Sequence, residues 1–195
     1  MVNRLLLVVA FAGFVSSANA QSDGAGALIW LFPFLAYPIM VGFGLLSVSL
    51  RSERHHLEFK RVVQDGSKSF YVGLGLLAVL ILIGIALIMV SEQIKGQGGN
   101  SGLPALFGLA TWFGALSIVL MGWGAVATAI GEGMARAFGR SDASTGALVL
   151  LGSIVPALIG GVPVIGWALM AYWLCLAAGA WWGGRSNPIP AKTND

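Results

Sequence analysis

Cysteine occurs once in 195 residues, at Cys175, which excludes an intrachain disulfide framework, a CxxC redox pair and a cysteine-based zinc site. Charge is scarce as well: Asp, Glu, Lys and Arg make up 10% of the chain, against roughly 25% in an average soluble domain. Their absence is also localised. No Asp, Glu, His, Lys or Arg interrupts residues 24–50, 69–91, 103–131 or 143–184. Ion-coupled pumps and transporters hold ionisable groups at bilayer depth, and hydrolysis there needs a nucleophile with a base, or a metal with ligands. Ser47, Ser49, Ser117 and Ser153 lie in these runs with no His, Lys or Asp to activate them. The chain therefore reads as a non-enzyme, with no catalytic residues, no cofactor and no metal.

What fills the sequence is apolar. Hydrophobic residues reach 57%, with 28 glycines and a mean hydropathy of +0.84, the composition of an all-α polytopic membrane helix bundle. The formal charge of +3 and pI near 9.4 do not imply a nucleic-acid partner, because the basic residues stand at the ends of apolar runs, as topology signals do.

Residues 1–20 read as a cleavable signal peptide: Arg4, an apolar core from Leu5 to Val15, then Ala18-Asn19-Ala20 as a small-x-small cleavage pattern. An eleven-residue core is too short for a hydrocarbon layer of about 30 Å. Residues 21–183 form one transmembrane domain. Spans are expected near 25–50, 69–91, 104–131, 145–159 and 163–183, with 184–195 a disordered cytoplasmic tail. The last two spans come from splitting a 42-residue charge-free run, which as one helix would rise about 63 Å. Pro156, Gly160, Gly161 and Pro163 are the expected hinge, and a re-entrant 145–159 is the alternative to a span. Pro104 is placed in the first turn of its helix.

The one strongly charged stretch, RSERHHLEFKRVVQDGSK from Arg51 to Lys68, holds five of the eleven Lys and Arg residues and both histidines. With five spans, nine Lys/Arg fall on one side and only Lys95 on the other. That asymmetry places residues 51–68 and the C-terminus in the cytoplasm of a bacterial inner-membrane protein, and the mature N-terminus in the periplasm. Anionic lipid headgroups are the expected partner of this stretch. Glu53, His55, His56 and Glu58 pair at three-residue spacing on two adjacent helical faces, so no face collects three metal ligands. Gly73-Leu74-Gly75-Leu76-Leu77-Ala78 matches the GxGxxA dinucleotide fingerprint by letter, but inside an apolar helix it lacks the strand and turn that the fingerprint requires.

Two sets of small residues recur every four positions: Ala127, Gly131, Ala135 and Gly139, then Ala171, Cys175, Gly179 and Gly183. Such faces let helix backbones approach closely in lipid. Ala129 and Ala178 lie off both. Cys175 is thus a packing residue rather than a reactive thiol.

The segment GVPVIGWALMAYWLCLAAGAWWG, which follows a GALVLLG run, resembles the proline- and glycine-hinged membrane module of bactofilin-related polymer-forming membrane proteins. Gly161 stands where that pattern has an aliphatic residue, and the β-helical polymer domain is absent. The resemblance, over about residues 146–183, implies a membrane anchoring or assembly module without known chemistry. The expected role is a structural, assembly or partner-binding membrane subunit, as a homo-oligomer or with another membrane protein. The alternative is a passive channel or carrier for a neutral or apolar substrate.

Overall fold

A computed structural model describes residues 25–97, 102–140, 142–162 and 164–186. Residues 1–20 and Pro163 therefore lie outside the described residues, as does the tail beyond Ser186. Among the described residues every regular element is an α-helix: α1 Ala25–Leu50, α2 Ser52–Gln64, α3 Gly66–Gly96, α4 Gly102–Ala137, α5 Thr145–Gly160 and α6 Ile165–Ser186. Pro104 stands in the first turn of α4, where its missing N–H would have had no helical partner.

Among the described residues, four helical stretches are long and apolar enough to cross a membrane: Pro33–Leu50, Gly66–Gly96, Gly102–Ala137 and Ile165–Gly184. α5 is apolar but has only 16 residues, a rise of about 24 Å. The charged stretch expected between the first two spans is mostly helix. α2 is joined to α1 through Arg51 and to α3 through Asp65, each a single non-helical residue.

α4 is the central helix. It packs against all five others, and its Val119, Trp123, Val126 and Ala127 form a buried core with Val149 of α5 and Leu176, Ala177 and Ala178 of α6. Large apolar side chains such as Phe34, Leu82, Phe113 and Trp167 are exposed. In a bilayer this inversion carries no hydrophobic penalty, and the contacts between helices must supply the specificity.

Those contacts are made backbone to backbone. A Cβ at Gly73 (α3) would lie 2.7 Å from both the Cys175 carbonyl carbon and the Gly179 nitrogen of α6. Across the same crossing, a Cβ at Gly179 would lie 2.6 Å from the Ser69 carbonyl carbon. α4 and α5 meet likewise: Gly131 abuts Leu148, and Gly152 abuts Ala127 and Gly131. Both crossings are antiparallel. Gly122 of α4 abuts the backbone of Ala177 on α6, while Gly124 of α4 meets the Ser47 side chain and the Gly44 carbonyl of α1.

The break between α5 and α6 is narrower than the expected hinge. Pro156 is buried within α5 and does not end it. Gly160 is the last residue of α5, and Gly161 caps it with an ordinary right-handed φ of −74°. The turn's left-handed residue is instead Val164, at φ 64°, a costly position for a β-branched side chain.

Candidate functional site

Polar chemistry gathers where α2 lies against α4 and α6. α2 is amphipathic: His55, Glu58 and Val62 occupy one side at i, i+3, i+7 spacing and turn inward, while Glu53, Arg54, His56 and Lys60 are exposed. By composition this charged stretch is a solvated extension of a membrane helix, whereas the fold covers one of its faces. His55 is 5% exposed and Glu58 2%. The four possible metal ligands consequently divide, His55 and Glu58 inward and Glu53 and His56 outward. Among the described residues no group of three or more His, Cys, Asp or Glu is placed to hold a metal.

His55 is anchored through α4. The Thr128 hydroxyl donates to the Gly124 carbonyl at 2.7 Å, and His55 Nε2 lies 3.3 Å from the Thr128 hydroxyl oxygen. A hydroxyl has one proton, so once Gly124 takes it the threonine oxygen accepts from a protonated Nε2. Burial, and then the neighbouring His56, hold the His55 pKa below its ordinary value. The neutral ring with the proton on Nε2 suits this bond.

Glu58 is held less well. Its Oε1 faces Arg51 Nη2 at 3.0 Å, but the alignment is not that of a hydrogen bond, and Oε1 and both Arg51 Nη atoms lack hydrogen-bond partners. Burial raises the Glu58 pKa to about 7, against the opposing pull of Arg51 and Arg54. The guanidinium of Arg51 also lies 5.9 Å from the Trp181 ring centroid on α6, within cation–π range.

Two glycines at the end of α6 make room for α2. A Cβ at Gly183 would lie 2.9 Å from Arg61 Cζ, and one at Gly184 would lie 3.0 Å from Glu58 Cγ. Gly183 thus meets a side chain of α2, unlike Gly179, which meets the backbone of α3. Ala171 is exposed and touches no crossing face, while Cys175 is buried against Gly73. On α4, Ala127, Gly131 and Ala135 are buried in the bundle. Gly139 lies past the helix end with nothing within 4 Å. With φ 69°, its N–H donating to Arg136 and that of Arg140 to Ala135, it closes a Schellman cap, which needs a left-handed residue.

A second feature lies away from α2. Pro33, Phe34 and Tyr37 of α1 face Ile154, Ala157 and Leu158 of α5 across an open apolar groove of about 380 Å³. Beside it the Tyr37 hydroxyl donates to the Leu150 carbonyl at 3.4 Å. The chain was compared with family models, curated proteins and solved structures, and nothing matches.

Proposed function

We propose that the chain is a multi-pass inner-membrane protein with five spans, and that it serves as a structural, assembly or partner-binding subunit with no chemistry of its own. The observation that carries this reading is how its small residues are used. Gly73, Gly122, Gly131, Gly152 and Gly179 set backbone contacts, so the glycine content is spent on a defined shape. The ionisable pair is confined to α2, outside the spans. The resemblance of residues 146–183 to a membrane anchoring module agrees with such a role.

α5 supports the fifth span. Its Val149 meets the position of Gly44, and its Ala157 and Leu158 share the groove with Pro33, so it accompanies α1 antiparallel over some eleven residues of that span. With residues 1–20 removed as a signal peptide, this orientation puts the N-terminus in the periplasm and α2 in the cytoplasm. There Arg54, Lys60 and Lys68 are exposed toward anionic headgroups. A reporter that works only in the periplasm should be active when fused after Gln97 and silent after Asp65 or Asp195. Activity after Asp195 with silence after Asp65 would remove a span and make α5 re-entrant.

The subunit reading is tested by cross-linking in native membranes before detergent purification. A stoichiometric cross-linked species, a second copy or another membrane protein, is expected. A solely monomeric band over a range of linker lengths would overturn it. The groove between α1 and α5 favours one second reading, a passive carrier for a neutral or apolar molecule. In that case purified protein in liposomes would accelerate flux of such a molecule, and Ala157→Trp would block it.

A further inference from the structure

We propose that α2 is a pH-sensitive cap on the cytoplasmic end of the bundle, docked on α4 and α6 in mild acid and released as Glu58 ionises. This rests on the proposed topology only for the compartment sensed, since the device itself is local.

Three features of the geometry make α2 a separable unit. It is bounded by single non-helical residues, Arg51 and Asp65, and both have φ and ψ outside regular helix, at −138° and 40° and at −120° and 35°. Its docking face is not held by backbone crossings of the kind that fix α3 on α6. It rests on side chains: His55 on Thr128, Glu58 against Gly184, and Arg61 against Gly183. Its most deeply buried acid lacks a hydrogen bond at Oε1, so ionisation leaves a charge that one misaligned guanidinium must answer in place of water.

The charged groups around Glu58 do not remove this burden. Arg51 faces it from the α1–α2 junction, Arg54 adds to the field from α2 itself, and Arg61, three residues on, lies against Gly183 beside it. His55 precedes it on the same buried side, with His56 next to it. On α4 the nearest charges beyond Thr128 are Glu132 and Arg136, which pair with each other. The one charged residue in the sequence of α6 is Arg185.

The sign of the effect follows from proton binding. A carboxyl whose pKa is about 7 when docked, and near 4.5 when α2 is released into water, binds protons more tightly in the docked state. Docking is thus fully supported below the lower value, weakens as pH rises between the two, and levels off above 7. His55 acts at the other end. Its pKa is lowered on docking, so the docked state loses support as pH falls below the ordinary histidine value of about 6.5. Above about 6.5 the effect of Glu58 dominates, and below it the two buried groups oppose each other.

Hydrogen–deuterium exchange of the full chain in lipid nanodiscs tests this, comparing residues 52–64 in wild type and Glu58→Gln between pH 6 and 8 after correction for intrinsic exchange. Glutamine keeps the shape and mimics the protonated acid, and taking the ratio of the two proteins cancels both His55 and any offset from the substitution. The protection of Glu58→Gln relative to wild type should rise about tenfold from pH 6 to pH 8, with α3 amides unaffected. A ratio that does not change with pH, or that falls, would overturn the proposal. Should Glu58→Gln fold poorly, the wild-type pattern across pH with His55→Asn decides in its place: protection of 52–64 must fall from pH 6 to 8, and a rise or a flat profile refutes the cap.

Discussion

Gly73→Leu should leave little folded protein in membranes, while Gly75→Leu, two residues along the same helix, should accumulate and melt like the wild type. Both glycines lie in the apolar interior of α3, and both belong to the letter pattern that mimics a dinucleotide fingerprint. Their surroundings differ. Gly75 is exposed with nothing within 4 Å, whereas a first side-chain carbon at Gly73 would already overlap the backbone of α6 at Cys175 and Gly179. A side chain can rotate away from an intruder, but a helix backbone moves only as a whole. Overpacking a core costs about 1–3 kcal/mol when neighbours can shift, and the upper end or beyond is expected here. The association of α3 with α6 has no hydrophobic force in lipid to offset the lost contact. Gly179→Leu should fail in the same way, since it is the other half of the crossing, and Gly73→Ala should be intermediate. Folded yield by size-exclusion chromatography and the midpoint of thermal unfolding measure all four. Equal tolerance of leucine at positions 73 and 75 would mean that these helices do not meet as described.

Much of the architecture was legible because hydrocarbon imposes one simple demand, that every backbone polar group be satisfied within its own segment. Charge-free runs therefore mapped onto long helices, and Pro104 onto a helix start. The packing was legible only in part. Four-residue spacing identified Gly131, Cys175 and Gly179, which stand at crossings, but also Ala171, which is exposed, and Gly139, which caps a helix. It passed over Gly73, Gly122 and Gly152, and it set aside Ala178, which is wholly buried in the core. Spacing gives a residue's position around its own helix. Which side of that helix a neighbour covers depends on the rest of the bundle. Ala178→Leu should accordingly not be mild, contrary to its place off the proposed faces.

The role of α2 was hidden for a related reason. A charged, histidine-containing stretch between two spans has the composition of a solvated connection, and nothing in its composition shows that Glu58 and His55 share one face with Val62. The periodicity of 55, 58 and 62 was the available signal, outweighed by the charges around it. Pro156 was misread in the opposite direction. Proline removes one helix hydrogen bond, but within a packed membrane bundle the helix continues through it, and the turn forms only where Gly160 and Gly161 end α5.

Arg51→Met should be the most damaging change around the docked face of α2, and pairing it with Glu58→Met should restore most of what is lost. Arg51 is the only group within ion-pair distance of Glu58, among the described residues. Removing it strands a carboxylate that is already poorly solvated, and breaking a buried ion pair from one side typically costs about 3–5 kcal/mol. Part of that loss is avoidable, because the stranded acid can take up a proton, so the single variant should be much more harmed at pH 8 than at pH 5. The double variant leaves no buried charge behind. Methionines filling the same space replace a misaligned pair with apolar contacts to Trp181 and Gly184, an exchange that is often neutral or better. Stability of the three proteins at both pH values, followed by unfolding in a denaturing detergent, separates the alternatives. If Arg51→Met were harmless at pH 8, Glu58 would have to be satisfied by something other than Arg51. If the double variant were as unstable as the single one, the contribution of Arg51 would lie in its cation–π contact with Trp181 rather than in answering the buried acid.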